Sequence, residues 1–350
     1  MGRAAMFVVM GFGLAAGFIS MNIRNATNLL TESQVGYHNY SIARNLARTG
    51  IQRSLRYIDL NPLVANYTPP TSGSFNGGSY TVSTTLSQDT MWLNVTGTYA
   101  DTNYVMRTKL LRSTKPFPIP TGAMSIKASP VNFTTSGNPT VDGRNYDSSG
   151  TTIDSSKCAT KPGIAVQKPS DSTTIMAQTA GGSNQLQLYG NPGTKVDTAT
   201  ADPAPFIDEY EANADYIFNT PGNVSGNQTL GTADAPAITV CNAGEDTAFS
   251  ITFVGSITGW GILAINGSVV FKGGVDFHGL VIAYGRNNVV NFGEQGTPKI
   301  VGGIIVAGSA ASVTLKGTGS QGKLLYSCDA LNKAKNVAKL RYYSVLEWYE

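Results

Sequence analysis

Asp276 and His278 are the two side chains whose types and spacing come nearest to acid–base chemistry. They stand two residues apart in a stretch with the pattern of a β-strand, so both side chains point to the same face. A carboxylate beside an imidazole can exchange a proton with a substrate. More often, such a pair is a hydrogen bond that only stabilises the fold, and we favour that interpretation. We therefore assign no catalytic residue and expect no enzymatic activity.

Asp142, Asp147 and Asp154 are the carboxylates whose spacing comes nearest to a cation site. They lie in a loop-rich stretch and do not follow the Asp-x-Asp-x-Asp-Gly order of a calcium-binding loop. Weak Ca²⁺ binding is kept as an alternative. Otherwise we expect no metal and no cofactor.

The three cysteines, Cys158, Cys241 and Cys328, form an odd set. No Cys-x-x-Cys spacing occurs, so a zinc site is not expected. In an exported chain two of the three can form a disulfide bond. Their number alone leaves the pairing open.

The composition favours an extracellular structural protein. Of the 350 residues, 13% are charged, about half of the roughly 25% that is usual in soluble domains. The formal net charge is +3. Because a nucleic-acid-binding protein normally carries a strongly basic domain, we expect no nucleic-acid partner.

The first long segment of the chain, Ala4–Ile23, contains no charged residue. As a helix it spans about 30 Å, the thickness of the hydrocarbon core of a bilayer. The apolar run begins almost at the first residue and no small-residue cleavage site follows, so we do not expect a secretory signal peptide. Gly13 and Gly17 frame a small-xxx-small motif that lets helices pack closely. The residues that we expect in a membrane-spanning or filament-core helix are Phe7, Val8, Val9, Met10, Phe12, Gly13, Leu14, Gly17, Phe18, Ile19 and Ile23.

The helix is predicted to continue well beyond the apolar segment, over residues 1–60. Between Asn25 and Ile58 there is no proline, and Asp59–Pro62 ends the helix. A helix of about 55 residues is about 80 Å long. Its second half is amphipathic, with one apolar stripe at helical spacing. The stripe consists of Ile42, Ala43, Leu46, Ala47, Gly50, Ile51, Leu55 and Ile58.

A small antiparallel sheet is expected in residues 61–115. Residues 61–78 are rich in Pro, Gly, Ser and Asn and are interpreted as a linker. Three segments then alternate between apolar and polar residues as strands do, namely Tyr80–Leu86, Met91–Tyr99 and Tyr104–Leu111. A sheet of these strands would cover the apolar stripe of the helix.

The C-terminal domain, 116–350, is expected to be β-rich, which makes the fold class α+β. Up to about residue 235 its polar composition indicates irregular strands and loops, with one plausible helix at Asp208–Phe218. Further on, an aliphatic run bounded by glycine occurs three times. This repeat predicts a parallel β-helix or solenoid, in which each coil buries its apolar side chains against the next. A β-sandwich is the alternative. The three runs are Gly261–Gly267, Gly279–Gly285 and Gly303–Gly308.

Short features at both ends of the chain carry a family resemblance. Those at the N-terminus are Gly2, Ala4 and Ala5, the apolar run from Phe7 to Ile19, and the Ala-Arg-Thr-Gly-Ile sequence at 47–51. Those at the C-terminus are the Tyr-Ser-Cys-Asp-Ala-Leu sequence at 326–331 and the ending Leu-Glu-Trp-Tyr-Glu. Together they resemble type IV pilin-like proteins, and most of all the PilX-type minor-pilin and assembly family. The resemblance implies a pilin-like helix packed on a small sheet.

The resemblance further implies a structural subunit of an extracellular type IV pilus-like filament. Identical subunits would pack through their N-terminal helices, while the β domains face outward for surface contact or adhesion. The implied partners are the assembly machinery, namely a prepilin peptidase, a platform protein and an extension ATPase. An inner-membrane pool would exist before assembly. A surface or polysaccharide ligand of the β domain is an open alternative.

The resemblance also bears on the cysteines. The family often has serine at the position of Cys328, which implies that Cys328 is unpaired and that Cys158 and Cys241 form the disulfide. This bond would close a loop of about 80 residues and stabilise the fold by about 4 kcal/mol.

Three alternative functions stay open. The chain could be a minor tip pilin or adhesin. It could be a single-pass protein whose apolar helix is only a lipid tether. It could also be a membrane-anchored, β-helical enzyme acting on polysaccharide, since parallel β-helix lyases and hydrolases use clustered carboxylates and basic residues along one face.

Overall fold

The computed structural model describes residues 2–60, 71–87, 89–180, 185–196, 202–244, 250–292, 298–317 and 322–350. The chain divides into two compact units, one formed by Met1–Ser113 with Tyr342–Glu350 and the other by Thr114–Arg341. From the sequence, residues 116–350 are expected in one domain. The structure instead places the final residues in the first unit, because they form a strand of its sheet.

The first unit begins with a single helix, α1, which runs from Gly2 to Leu60. It has 59 residues and is about 88 Å long at a rise of about 1.5 Å per residue. No proline lies within it, and Pro62 follows its end, where proline disfavours helical backbone in the preceding residue. The long N-terminal helix predicted from the sequence is confirmed.

A five-stranded sheet completes the first unit. Its strands are, in spatial order, β1 (Ser72–Phe75), β2 (Gly78–Ser87), β3 (Thr90–Tyr99), β4 (Thr102–Thr114) and the last strand of the chain. Strands β1 to β4 pair antiparallel, so the predicted small antiparallel sheet is confirmed. β1 falls within the expected linker, residues 61–78, of which 61–70 lie outside the described residues.

The second unit consists mainly of parallel strands. In chain order its elements are β5 (Met124–Ile126), β6 (Val131–Gly137), β7 (Thr140–Asp142), β8 (Ile164–Val166), α2 (Pro169–Ala177), β9 (Gln187–Tyr189), β10 (Thr194–Val196), α3 (Ala204–Ala212), β11 (Tyr216–Phe218), β12 (Gly222–Val224), β13 (Gln228–Leu230), β14 (Ala237–Asn242), β15 (Ser250–Phe253), β16 (Ile257–Phe271), β17 (Val275–Phe292), β18 (Pro298–Val306), β19 (Ala310–Gly317), β20 (Lys323–Tyr326) and α4 (Cys328–Lys335). A 3₁₀ turn, Ala338–Leu340, leads into the last strand, β21 (Arg341–Tyr349).

The helix expected at Asp208–Phe218 is displaced in the structure. α3 covers Ala204–Ala212, and the end of the expected segment is strand β11. Tyr216, Ile217 and Phe218 pair in parallel with Thr239, Val240 and Cys241 of β14. Pairing with a neighbouring strand thus overrides the local helical pattern of the sequence.

The glycine-bounded runs stack directly on one another. Gly261 pairs with Gly279, and Gly279 pairs with Gly302, so the third run starts one residue earlier than the sequence pattern indicates. All three glycines have positive φ, and a methyl group on Gly279 would meet the carbonyl oxygen of Gly261 at 2.0 Å. Only glycine fits there. The predicted β-rich region is confirmed as one large, mainly parallel sheet, whereas its closure into a β-helix or solenoid stays a prediction.

The order of the strands in the stack differs from their order in the chain. β18 lies between β17 and β5, so the first strand of the second unit is a neighbour of one of the last. β19 likewise pairs with β6, and β20 with β7. Strands β5, β6 and β7 from the start of the unit therefore extend the parallel stack that contains the later strands β18, β19 and β20.

Aromatic rings are stacked inside the second unit. Phe253, Phe271 and Phe292 come from successive parallel strands, with ring centroids 5.4 and 5.3 Å apart and interplanar angles of 12° and 5°. All three are buried. Equivalent positions of neighbouring parallel strands thus carry the same residue type, as expected for stacked repeats.

The expected disulfide between Cys158 and Cys241 is wrong. The bond joins Cys158 to Cys328, whose Cα atoms lie 6.5 Å apart. Cys241 lies within β14, fully buried in the apolar core, and is the unpaired cysteine. Cys328 is buried at the start of α4, where the loop that carries Cys158 reaches it. The bond closes a sequence separation of 170 residues, which corresponds to about 5 kcal/mol in the chain-entropy model.

Candidate assembly surface on the N-terminal helix

The first half of α1 has no packing partner in the described parts of the chain. From Met6 to His38 every side chain is exposed, over about 50 Å of helix. The expected filament-core residues all lie here, and their large apolar side chains are 57–75% exposed. They are Phe7, Val8, Val9, Met10, Phe12, Leu14, Phe18, Ile19 and Ile23. An apolar surface of this size marks a site of contact with lipid or protein.

Gly13 and Gly17 lie within this surface. Apart from the adjoining turns of the helix, no atom of the described residues lies within 4 Å of the position that a Cβ would take at either residue. Packing within the described part of the chain therefore does not require glycine at these two positions. Glycine four residues apart instead leaves a shallow path along the helix, on which a second helix can approach closely.

The exposed part of α1 is longer than a bilayer requires. The helix is long and apolar enough to span a membrane, and its most apolar stretch is wholly exposed. About twenty residues are enough to cross the hydrocarbon core. Beyond Ile23, however, large apolar side chains remain exposed over a further four turns or so. They are Leu29, Leu30, Val35 and Tyr37, with exposed fractions of 53–75%.

Hydroxyl groups in this half bond back to the helix itself. The Oγ1 of Thr27 donates to the carbonyl oxygen of Ile23 at 2.8 Å, and the Oγ1 of Thr31 donates to that of Thr27 at 2.9 Å. These bonds satisfy the hydroxyl protons without water. The helix can therefore enter apolar surroundings without leaving those donors unpaired.

The second half of α1 packs on the sheet of the first unit. The rings of Tyr40 and Tyr104 make an edge-to-face contact at a centroid distance of 5.1 Å. Beyond it the buried positions recur every three or four residues, as the sequence pattern predicts. They are Ala43, Leu46, Ala47, Gly50, Ile51, Ser54 and Ile58. Ile42 and Leu55 of the predicted stripe are only partly buried, whereas Ser54, absent from the predicted stripe, is buried and donates to the carbonyl oxygen of Gly50.

Small residues let the helix lie very close to β3. A methyl group on Gly97 would meet the carbonyl oxygen of Ala43 at 2.0 Å, and one on Gly50 would meet Cγ1 of Val95 at 2.6 Å. The helix and the strand thus touch with almost no side chain between them. This contact holds the exposed half of α1 in a fixed direction from the sheet.

The last strand adds contacts that the sequence did not reveal. Glu350 forms an ion pair with Arg44 of α1, and Glu347 accepts a hydrogen bond from Lys109 at 3.2 Å. The ring of Tyr349 stacks on Trp92 at a centroid distance of 5.9 Å. These residues come from opposite ends of the chain, so local spacing carries no signal for them. The aromatic and β-branched residues after Arg341 do favour a strand, but they do not indicate which sheet it joins.

Hydrogen bonds favour the ionised form of the Glu347 and Glu350 side chains. The hydrogen bond from Arg44 lowers the pKa of Glu350 below its ordinary value. The hydroxyl of Tyr349 and the ammonium of Lys109 lower the pKa of Glu347 in the same direction. Both groups are exposed, so each contact contributes little to stability alone.

His278 and Asp276 form a satisfied hydrogen-bonded pair. Nε2 of His278 lies 2.9 Å from Oδ1 of Asp276, and Nδ1 donates to the carbonyl oxygen of Ser148 at 2.7 Å. The imidazole also stacks on Trp260, at 4.2 Å between centroids and an angle of 11°. Because both ring nitrogens are engaged and the ring is covered, neither nitrogen is available to a substrate. The pair fastens the loop at Ser148 to the stack.

The three aspartates considered for calcium point to separate partners. Asp142 is buried and bonds to Arg144 and Tyr146. Asp147 accepts from Ser149 and from the backbone of Thr151, and Asp154 accepts from Ser156. Among the described residues no group of three or more His, Cys, Asp or Glu side chains is placed to hold a metal ion.

Comparison with known proteins finds similarity among solved structures alone. No family model matches the chain, and no curated protein matches it. A crystal structure of the competence-associated pilin ComZ from Thermus thermophilus matches with 13% sequence identity and a TM-score of 0.26. The match covers 89% of this chain and 97% of that one.

Proposed function

We propose that this chain is a structural subunit of an extracellular type IV pilus-like filament. Subunits pack through the exposed apolar half of α1, and the β units face outward. One observation carries the proposal. A single unbroken helix has one half without a partner among the described residues and another half whose apolar stripe is buried on a sheet.

The hydrophobic effect supplies the driving force. Hiding apolar surface from water is favourable by about 25 cal/mol per Å². Lipid can hide the segment up to Ile23, but the apolar side chains from Leu29 to Tyr37 lie beyond the length that a bilayer covers. Neighbouring helices in a filament can cover both parts. This favours a filament over a simple lipid tether.

The proposal includes a membrane stage before assembly. The apolar segment would hold a pool of subunits in the inner membrane. A prepilin peptidase, a platform protein and an extension ATPase would then process and extract them. The disulfide between Cys158 and Cys328 suits a β unit that folds in an oxidising compartment outside the cytoplasm.

The outward-facing unit is proposed to make contact with surfaces. Its parallel strands are stacked in register, with the positive-φ glycines Gly261, Gly279 and Gly302 directly opposite one another, which gives a rigid body suited to display. A role in adhesion, and a position at the tip as a minor pilin, are finer versions of this proposal. A bound surface or polysaccharide would be the ligand in either case.

Substitutions at Gly13 and Gly17 separate a filament from a tether. G13L and G17L keep the helix apolar, so membrane anchoring is expected to stay at the wild-type level. Both leucines fit the single chain, because the space around these glycines is open. If helices pack along this path, each leucine blocks the close approach, and the amount of sheared surface filament falls at least tenfold.

The matched control for these variants is L14M. It changes an exposed side chain of the same segment while keeping its size and apolar character. We expect wild-type filaments from L14M. If G13L and G17L also give wild-type filaments, or if the wild-type chain forms none, the proposal is contradicted.

A further inference from the structure

The exposed half of α1 carries very few charges, and they are complementary. Between Met6 and Asn39 the formal charges are Arg24 and Glu32, and the other titratable side chains are Tyr37 and His38. Arg24 and Glu32 are both exposed. Neither forms an ion pair or a side-chain hydrogen bond within the described chain. Each copy therefore offers one unpaired cation and one unpaired anion on a surface whose other side chains are uncharged.

The two charges cannot pair within one helix. Eight residues separate them, which is about 12 Å along the axis and about 80° around it. Side chains on a helix meet at separations of three or four residues. A partner must therefore come from another chain, and the helix of a second copy supplies both signs.

Assembly would be costly for either charge if it stayed unpaired. Removing an ionised side chain from water is strongly unfavourable unless an opposite charge compensates it. If two parallel copies lay level, Arg24 would face Arg24 and Glu32 would face Glu32. A displacement of about 12 Å along the helix axis instead brings Arg24 of one copy level with Glu32 of the next.

We infer that Arg24 of one subunit pairs with Glu32 of the neighbouring subunit and sets their axial displacement at about 12 Å. This inference rests on the proposed function and deepens it by fixing the register of the interface. Each subunit gives Arg24 to one neighbour and Glu32 to another. Such a head-to-tail contact does not close on itself, so it propagates as a filament.

His38 does not serve the same role in this register. It lies six residues after Glu32, about 9 Å along the axis and about 120° around the helix. A helix that approaches Glu32 with the displacement set by Arg24 therefore does not meet His38. The inference consequently predicts that H38Q leaves assembly unchanged.

Charge reversal with cross-rescue tests the pair in cells that assemble the filament. We expect R24E alone and E32R alone to reduce sheared filament at least tenfold, and the double variant R24E/E32R to restore at least half of it. Membrane levels should stay constant, because both residues lie beyond the Ala4–Ile23 segment. The control is Q34R, which adds a positive charge on the opposite side of the helix.

Engineered cysteines test the register directly. Cys158 and Cys328 are bonded and Cys241 is buried, so the natural cysteines present no exposed thiol. We expect R24C/E32C to form a ladder of disulfide-linked multimers in filaments, and R24C alone to form no dimers. Dimers from R24C alone would indicate a level register and overturn the inference.

The outcomes separate this inference from the proposed function. Wild-type filaments that persist unchanged in R24E and E32R overturn the pairing and leave the filament standing. The same holds if Q34R is as damaging as E32R, or if the double variant is not rescued. If the wild-type chain forms no filament, the proposed function fails, and the inference fails with it.

Discussion

Gly97 of β3 and Ala43 of α1 are in backbone contact. A methyl group on Gly97 would lie 2.0 Å from the carbonyl oxygen of Ala43 and 2.6 Å from the backbone nitrogen of Ala47. The neighbouring helix positions are themselves alanines and are buried. The space between helix and strand therefore admits no side chain at position 97.

The first prediction concerns this contact. Because the atoms that would clash belong to the backbone and cannot rotate away, we expect G97A to lower the free energy of unfolding by about 1–3 kcal/mol. G36A is the matched control, since no atom lies within 4 Å of a Cβ at that exposed helix position. It should raise stability by up to about 1 kcal/mol. Denaturant unfolding of the purified full chain in detergent measures both, and equal stability of G97A and wild type would refute the contact.

The second prediction concerns the paired glycines Gly261 and Gly279 of the parallel sheet. Gly279 has a φ of +137°, and its Cβ would meet the carbonyl oxygen of Gly261. We expect G279A to destabilise the second unit strongly, by about 3 kcal/mol from backbone strain and overpacking together. Gly274 provides the comparison, because a Cβ there is 3.6 Å from its nearest neighbour. G274A should change the thermal stability little. If G274A lowers the stability as much as G279A does, position 279 has no particular requirement for glycine.

The third prediction concerns acid. Partial burial acts to raise the pKa of Asp147, but hydrogen bonds from the backbone of Thr151 and the hydroxyl of Ser149 outweigh it and lower the pKa to about 2. The ordinary value is 3.8. The ionised carboxylate therefore stabilises the fold fully above about pH 4, and this contribution is lost as the pH falls through about 2.

The variant D147N removes this contribution. We expect it to melt at a lower temperature than wild type at pH 6, and the difference between the two to vanish near pH 2. Melting curves at a series of pH values measure the gap. A difference in melting temperature that is constant down to pH 2 would mean that the ionised carboxylate of Asp147 does not stabilise the fold.

The fourth prediction concerns the cysteines. A non-reducing digest should yield a peptide that links Cys158 to Cys328, and Cys241 should react with a thiol reagent only after unfolding. We expect C158S and C328S to lose about 5 kcal/mol of stability in the chain-entropy model. C241S keeps the bond and gives the comparison for a cysteine substitution. A peptide linking Cys158 to Cys241 would contradict the observed pairing.

Local patterns in the sequence were sufficient for the elements of the first unit. The stripe from Ala43 to Ile58 is helical because its apolar spacing repeats every three or four residues, and it is buried as that spacing predicts. The alternation in β2, β3 and β4 likewise specifies which face is covered. The apolar pattern does not include Ser54, because serine is polar. Its hydroxyl donates to the carbonyl oxygen of Gly50, so the side chain can be buried.

Contacts between distant residues could not be predicted in the same way. The pairing of Cys158 with Cys328 depends on where the loop from Gly143 to Lys161 reaches the start of α4, and spacing does not encode this. The spacing of residues likewise does not encode the pairing of strand β5 with strand β18. The ion pair of Arg44 with Glu350 joins residues 306 positions apart, so it follows only from the completed fold.

The most direct measurement of the central claim is cryo-electron microscopy of fibres sheared from cells that produce this chain. We expect fibres whose wall consists of this subunit, with the Met6–His38 segments packed against one another at the centre and the β units outside. Neighbouring subunits should be displaced by about 12 Å along the axis. Fibres that lack this chain, with the protein remaining in the membrane as separate single spans, would contradict the account.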